Sequence, residues 1–139
     1  MEIITFKSYR LVMNEDLNHH GTLYAGRSAE WFIESGFIAA ANLTRPENIV
    51  CLKIHGMVFT RPVHLGEIIC YESKVIDTGR SRIVTYVTMK SCEDLIVKGF
   101  ITFINADAQG HSLPHGITIE PETNEDKDLQ QLARRLPLD

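Results

Sequence analysis

Residues 26–41 read as one helix with almost no polar side. Ala29, Ile33, Phe37 and Ala40 recur at the spacing of a single helical face, Trp31, Phe32, Ile38 and Ala39 fill the sides next to it, and Asn42 and Pro46 supply stop signals. A helix apolar nearly all round has to be wrapped by other elements, so it is expected to be buried on most sides. The wrapping material follows in the sequence. Residues 49–59, 67–77, 81–92 and 95–105 are each dominated by Val, Ile, Thr, Tyr or Phe and read as strands, and residues 3–13, ahead of the polar cluster Asn14-Glu15-Asp16, read as another. The connections Thr78-Gly79-Arg80 and Glu93-Asp94 are too short for a crossover, so the last three strands form an antiparallel meander. The order β-α-β-β-β-β sets one hydrophobic helix against a five-stranded antiparallel sheet, an α+β architecture.

At 139 residues the chain fits one domain, and 44% hydrophobic with 23% charged residues is the balance of an ordinary globular protein. We assign residues 1–108 to the folded domain and 109–139 to a C-terminal tail ending in a short amphipathic helix. Thr123 or Asn124 caps that helix, and Leu129, Leu132 and Leu136 form its apolar face. A net charge of -4 gives no general attraction to nucleic acid. No run approaches the ~20 apolar residues of a membrane span, and residues 1–13 mix Glu2, Lys7 and Arg10 into what would have to be an apolar leader core. Three cysteines, Cys51, Cys70 and Cys92, form no CxxC pair and read as reduced thiols. These features together point to a cytoplasmic protein with neither nucleic-acid nor membrane partners.

The chemistry concentrates in Asn18-His19-His20-Gly21-Thr22-Leu23-Tyr24-Ala25-Gly26, a polar loop with two glycines running straight into the apolar helix. Gly21 and Gly26 let backbone approach a ligand closely, and the free N–H groups at a helix start can polarise a carbonyl oxygen. Further on come Phe59-x-Arg61-Pro62-Val63-x-x-Gly66-Glu67 and Gly79-Arg80-Ser81. With Leu11-Val12-Met13, Asn18-x-x-Gly21 and Leu23-Tyr24-x-Gly26, these motifs resemble the hotdog-fold acyl-CoA thioesterase (acyl-CoA hydrolase) family, in unbroken order from about residue 8 to residue 105.

The resemblance implies a hotdog fold, with a five-stranded antiparallel sheet wrapped around one long helix. It also implies a homodimer joined sheet edge to sheet edge, which assembles further into tetramers or hexamers, with active sites at the dimer interface. Asn18 then helps to orient substrate or water, the Gly26 amide binds the thioester oxygen, and a helix carboxylate activates the attack. The reaction is hydrolysis of an acyl-CoA to free acid and coenzyme A. Coenzyme A enters as part of the substrate, and neither a metal nor a redox cofactor is called for.

The sequence departs from the family pattern at two places. Seven residues beyond Gly26, where many members carry an aspartate, stands Ile33, with Glu34 one place later, and Ala25 replaces the first glycine of the usual pair. One residue turns a helix by about 100°, so Glu34 reaches the same point only if the helix start is shifted or rotated. Glu30, one turn earlier, is the second candidate. A buried carboxylate needs a partner or a function, and Arg27 or Arg61 could supply a salt bridge instead. The Ile33 departure also keeps open a non-catalytic hotdog protein that binds or senses acyl-CoA. His20, beside Gly21, is a candidate pocket residue along with Tyr24. Arg80, Ser81 and Arg82, at a tight turn with free amides, form a candidate cradle for the coenzyme A phosphates.

Overall fold

The computed structural model describes residues 1–137; Leu138 and Asp139, the end of the expected tail, lie outside the described residues. Its elements are β1 (Phe6–Leu11), α1 (Ala25–Ala41), β2 (Ile49–Ile54), β3 (Ile68–Thr78), β4 (Arg82–Ser91), β5 (Asp94–Asn105) and α2 (Asn124–Arg134). The strands form one antiparallel sheet in the order β1-β3-β4-β5-β2. The meander β3-β4-β5 lies at its centre, and β1 and β2 are its edges. α1 lies across one face, which is the hotdog arrangement.

Alternation along the strands sets that inner face. Ile69, Tyr71 and Val75 of β3, Ile83, Val87 and Met89 of β4, and Ile101 and Phe103 of β5 are buried in one cluster with Trp31, Phe32 and Ala39 of α1. Gly36 lets the helix come down onto the sheet, because a Cβ there would stand 2.9 Å from Ile101 Cδ1 and 2.9 Å from Thr85 Oγ1. Truncating the fully buried Phe32 to Ala would cost roughly 3–5 kcal/mol. On the opposite face α2 packs Leu129 and Ala133 over Ile76 and Val84. Thr123 caps α2 by accepting the Asp126 amide, and the buried Gln130 donates to the carbonyls of Ile76 and Ile119. Leu132 is exposed, so the packed side of α2 runs through Leu129, Ala133 and Leu136 rather than through three leucines.

α1 is buried or half-buried on most sides, as expected, with one exposed stripe of Gly26, Glu30, Glu34 and Ile38 that the single sheet leaves open. One expectation is corrected. The strand expected over residues 49–59 stops at Ile54, because Gly56 turns the backbone at φ 90° and breaks the regular ladder, although the Thr60 amide still reaches the Ile96 carbonyl of β5 at 3.1 Å. No helix among the described residues is long and apolar enough to cross a membrane.

Candidate functional site

The loop between β1 and α1 folds into a small hairpin closed by the Leu17–Leu23 bridge, with the Asn18 amide donating to the Thr22 carbonyl at 2.7 Å and Gly21 at φ 78° making the turn. The Asn18 side chain is part of this scaffold. Its Oδ1 accepts the amides of His20 at 2.9 Å and Thr22 at 3.1 Å, while its Nδ2 donates to Thr22 Oγ1 at 3.1 Å. Two backbone donors fix the amide orientation, so the one hydrogen-bonding group Asn18 has to spare is its second Nδ2–H. Asn18 is thereby suited to donate to a carbonyl oxygen rather than to accept a proton from water.

At the end of the hairpin Tyr24 takes the N-cap position of α1 without a side-chain cap, and the first turn contains no acidic residue. The Tyr24 amide is taken by the Asp16 carbonyl, and the Tyr24 carbonyl accepts from Arg27 and Ser28. The amides of Ala25 and Gly26 make no hydrogen bond among the described residues. They are two adjacent donors at the positive end of a 17-residue helix, suited to a developing oxyanion. Tyr24 folds back over this turn, and a Cβ on Gly26 would stand 2.5 Å from its Cε2, so the glycine makes room for the ring.

A cleft of about 340 Å³ opens beside the helix start, lined by Asn18, Leu23, Ala25, Phe59, Thr60, Arg61, Pro62 and Val63. Its far wall is the segment following β2, tied to the loop by the Thr22–His64 bridge and by the Leu23 amide on the Val63 carbonyl at 2.8 Å. Glu67 braces that wall. It takes both terminal nitrogens of Arg61, at 3.0 and 3.2 Å, together with the His64 amide and the Ser91 hydroxyl. These donors, the Arg61 guanidinium foremost, pull the Glu67 carboxyl down to about 2. A larger cavity of about 430 Å³ lies elsewhere, lined by Lys7, Tyr9, Cys70 and Cys92 among others, but the helix start does not border it.

The carboxylates lie outside the cleft. Glu34, with 53% of its side chain exposed, accepts from Arg10 Nη2 at 2.7 Å, and the Arg10 guanidinium also sits 5.3 Å from the centre of the Trp31 ring. Neither basic residue considered from the sequence pairs with it: Arg27 meets Asp16, and Arg61 meets Glu67 and Asp94. In the single chain Glu34 is therefore an exposed, paired carboxylate, and burial does not by itself require a function of it. Glu30 is exposed and makes no ion pair among the described residues. Ile33 is half-buried against the core. His19 and His20 are exposed with their rings 4.1 Å apart, and no group of three His, Cys, Asp or Glu side chains that could hold a metal ion is found among the described residues.

Asn18, Gly21, Tyr24 and Gly26 thus come together in one chain, but Arg80, Ser81 and Arg82 do not join them. Ser28, in the first turn of α1, touches Tyr71 and Met89, whereas the β3–β4 turn lies beyond the Thr78–Ile83 pair, roughly 20 Å farther along β3. Arg80 is exposed, with one 3.4 Å bond to Ser112, while Arg82 is held by the buried Asp77 at 3.5 Å. Three residues with parts in this architecture were not singled out from the sequence: Arg10, Asp16 and Glu67. Glu67 sat within a motif, but its partners Arg61 and Ser91 are brought to it by the fold.

The thioesterase superfamily profile matches residues 20–98. An uncharacterized acyl-CoA thioester hydrolase of Bacillus subtilis (strain 168), YkhA, is 27% identical over 124 residues, covering 85% of this chain and 71% of that protein. Among solved structures, an acyl-CoA hydrolase from Bacillus cereus superposes with a TM-score of 0.85 at 26% identity, covering 94% of this chain and 82% of the other. An apo-hexameric acyl-CoA thioesterase gives 0.84 at 26% identity, covering 94% and 86%.

Proposed function

This chain belongs to the thioesterase superfamily and is a thioester hydrolase, and we propose that it hydrolyses acyl-CoA to a free acid and coenzyme A at a site completed by a second copy of itself. The observation that carries this reading is the pair of unpartnered amides of Ala25 and Gly26 at the α1 N-terminus, opening beside a cleft walled by Leu23, Phe59, Pro62 and Val63. A thioester carbonyl placed there would receive these amides and the spare Nδ2–H of Asn18. Each such donor is worth roughly 3–4 kcal/mol as negative charge develops on the oxygen. The acyl hydrolase names of the Bacillus relatives and the hexameric assembly of one structural relative support the substrate class and the homo-oligomer.

Three features favour a composite site. The edge strand β2 exposes Val50 by 54%, Leu52 by 51% and Ile54 by 39%, an apolar edge that an antiparallel copy of β2 would cover. The cleft wall follows directly on that strand, so pairing there sets the cleft at the seam. Glu34 lies eight residues beyond Gly26, about 12 Å along the helix, which is too far to serve its own oxyanion donors. In a two-fold antiparallel pair the ends of the two sheets exchange. The partner subunit's Glu34 is then the carboxylate that accepts a proton from the attacking water, with the partner's Glu30 as the alternative. The same exchange carries the partner's Arg80 turn toward the cleft, where it would meet the coenzyme A phosphates.

Glu34→Gln keeps the Arg10 hydrogen bond and removes the base, so kcat should fall about 10²–10⁴-fold with folding intact, while Glu30→Gln should change it little. Loss in Glu30→Gln with full activity in Glu34→Gln moves the role by one turn. Full turnover in both variants rules out the carboxylate mechanism.

A further inference from the structure

The loop that leads into α1 contains one buried carboxylate, Asp16, which is 7% exposed and takes no part in the chemistry above. Its Oδ2 accepts the Met13 amide at 3.0 Å, its Oδ1 faces Arg27 Nε at 3.4 Å, and its carbonyl accepts the Tyr24 amide at 2.9 Å. One residue therefore joins the end of β1, the N-cap of α1 and the first helical turn. Arg27 lies in that first turn, where a cation opposes the helix dipole. Helix starts are usually satisfied by an acidic or hydroxyl side chain bonded to the first amides, and α1 has none. Such a cap would occupy the Ala25 and Gly26 donors. Asp16 offsets the unfavourable Arg27 cation from the side, and leaves those amides open.

We propose that Asp16 is the positioning residue of the oxyanion site, holding the Ala25 and Gly26 amides in register with Asn18 through its contacts to Met13, Tyr24 and Arg27. The inference rests on the acyl-CoA reading, since it concerns how that carbonyl is held. Asp16 touches no substrate. Its effect is on the aim of donors that matter most when charge develops, so its loss should appear in kcat rather than in KM.

The test is steady-state thiol release from an acyl-CoA by Asp16→Ala, Asp16→Asn, Arg27→Met and the Asp16→Asn/Arg27→Met double variant, with melting temperatures measured in parallel. Asp16→Ala should lower kcat about 10–100-fold, the scale of a misplacement of the order of 1 Å at a catalytic group, with KM within about twofold. Asp16→Asn keeps an acceptor for the Met13 amide and loses the charge on Arg27, so it should recover part of kcat. Arg27→Met should match the Asp16→Asn loss, and the double variant should add little to either. If Asp16→Ala does not fold, the Asp16→Asn and Arg27→Met pair decides the matter by the same criteria. An active wild type whose Asp16→Asn and Arg27→Met variants keep full kcat while melting earlier overturns the positioning role alone. A wild type that releases no thiol overturns the acyl-CoA reading and this inference with it.

Discussion

Gly99→Ala probes the point where the fold and the cleft wall meet. Gly99 lies on β5 opposite Val87, on the face toward α1. A Cβ there would stand 2.8 Å from the Gly56 carbonyl oxygen and 3.4 Å from Phe32 Cζ. Relaxed carbon–oxygen contacts lie at about 3.3–3.6 Å, so the oxygen must retreat by about half an ångström or more. Gly56 sits at φ 90° between two backbone bonds to β5, the His55 amide on the Phe100 carbonyl at 2.9 Å and the Thr60 amide on the Ile96 carbonyl at 3.1 Å, which limit how far its carbonyl can retreat. Against this stands the ordinary advantage of Ala over Gly in a strand, about 0.5–1 kcal/mol. Overpacking of a filled core costs about 1–3 kcal/mol, which leaves a net loss of up to about 2.5 kcal/mol, centred near 1 kcal/mol. At about 3–4 °C per kcal/mol for this chain length, the central expectation is a drop of roughly 4 °C in Tm, read by thermal denaturation at fixed protein concentration because oligomerisation shifts the midpoint. The displacement should travel from Gly56 into Phe59 and Pro62 and raise KM. Adding Phe32→Leu should not restore stability, since the limiting contact is with backbone. A Gly99→Ala variant that melts at or above wild type would refute this account of the contact.

Two further outcomes are expected. The Glu67 carboxyl is held near 2, below its ordinary 4.5, so the Glu67–Arg61 brace contributes stability that is fully present above about pH 4.5 and lost as pH falls toward 2; denaturation midpoints across that window should slope less in Glu67→Gln, and an unchanged slope would contradict the assignment. Arg80→Ala should raise KM with kcat nearly kept, because a phosphate contact far from the thioester contributes uniform binding; a tenfold fall in kcat at fixed KM would rule out the cradle.

Local signals carried most of the fold. The apolar spacing of Ala29, Ile33 and Phe37 placed α1 within one residue of its start, and the two short connections dictated the β3-β4-β5 meander. The misreadings arose where tertiary geometry decides. The apolar residues around α1 correctly implied burial on most sides but did not locate its one open side, where Ile38, Glu34 and Glu30 lie. The β-rich run after Ile49 hid the turn at Gly56, which interrupts the ladder to β5 before residues 59–63 form the cleft wall. The loop Asn18–Gly26 was legible as a unit because its residues are neighbours in sequence. The partners of the carboxylates Glu34 and Glu67 were not: Arg10 reaches Glu34 across 24 positions, and Ser91 reaches Glu67 across another 24. The separation of Arg80 from Asn18 depends on strand register, which no local pattern encodes.

The most direct measurement is release of free thiol when the purified wild-type protein is mixed with acyl-CoAs of increasing chain length and the acid product is quantified alongside. Catalytic turnover is expected, with equal amounts of coenzyme A thiol and free carboxylic acid formed from at least one of them. Saturable binding of acyl-CoA without thiol release from any would contradict it, and would leave a hotdog protein that binds its ligand intact.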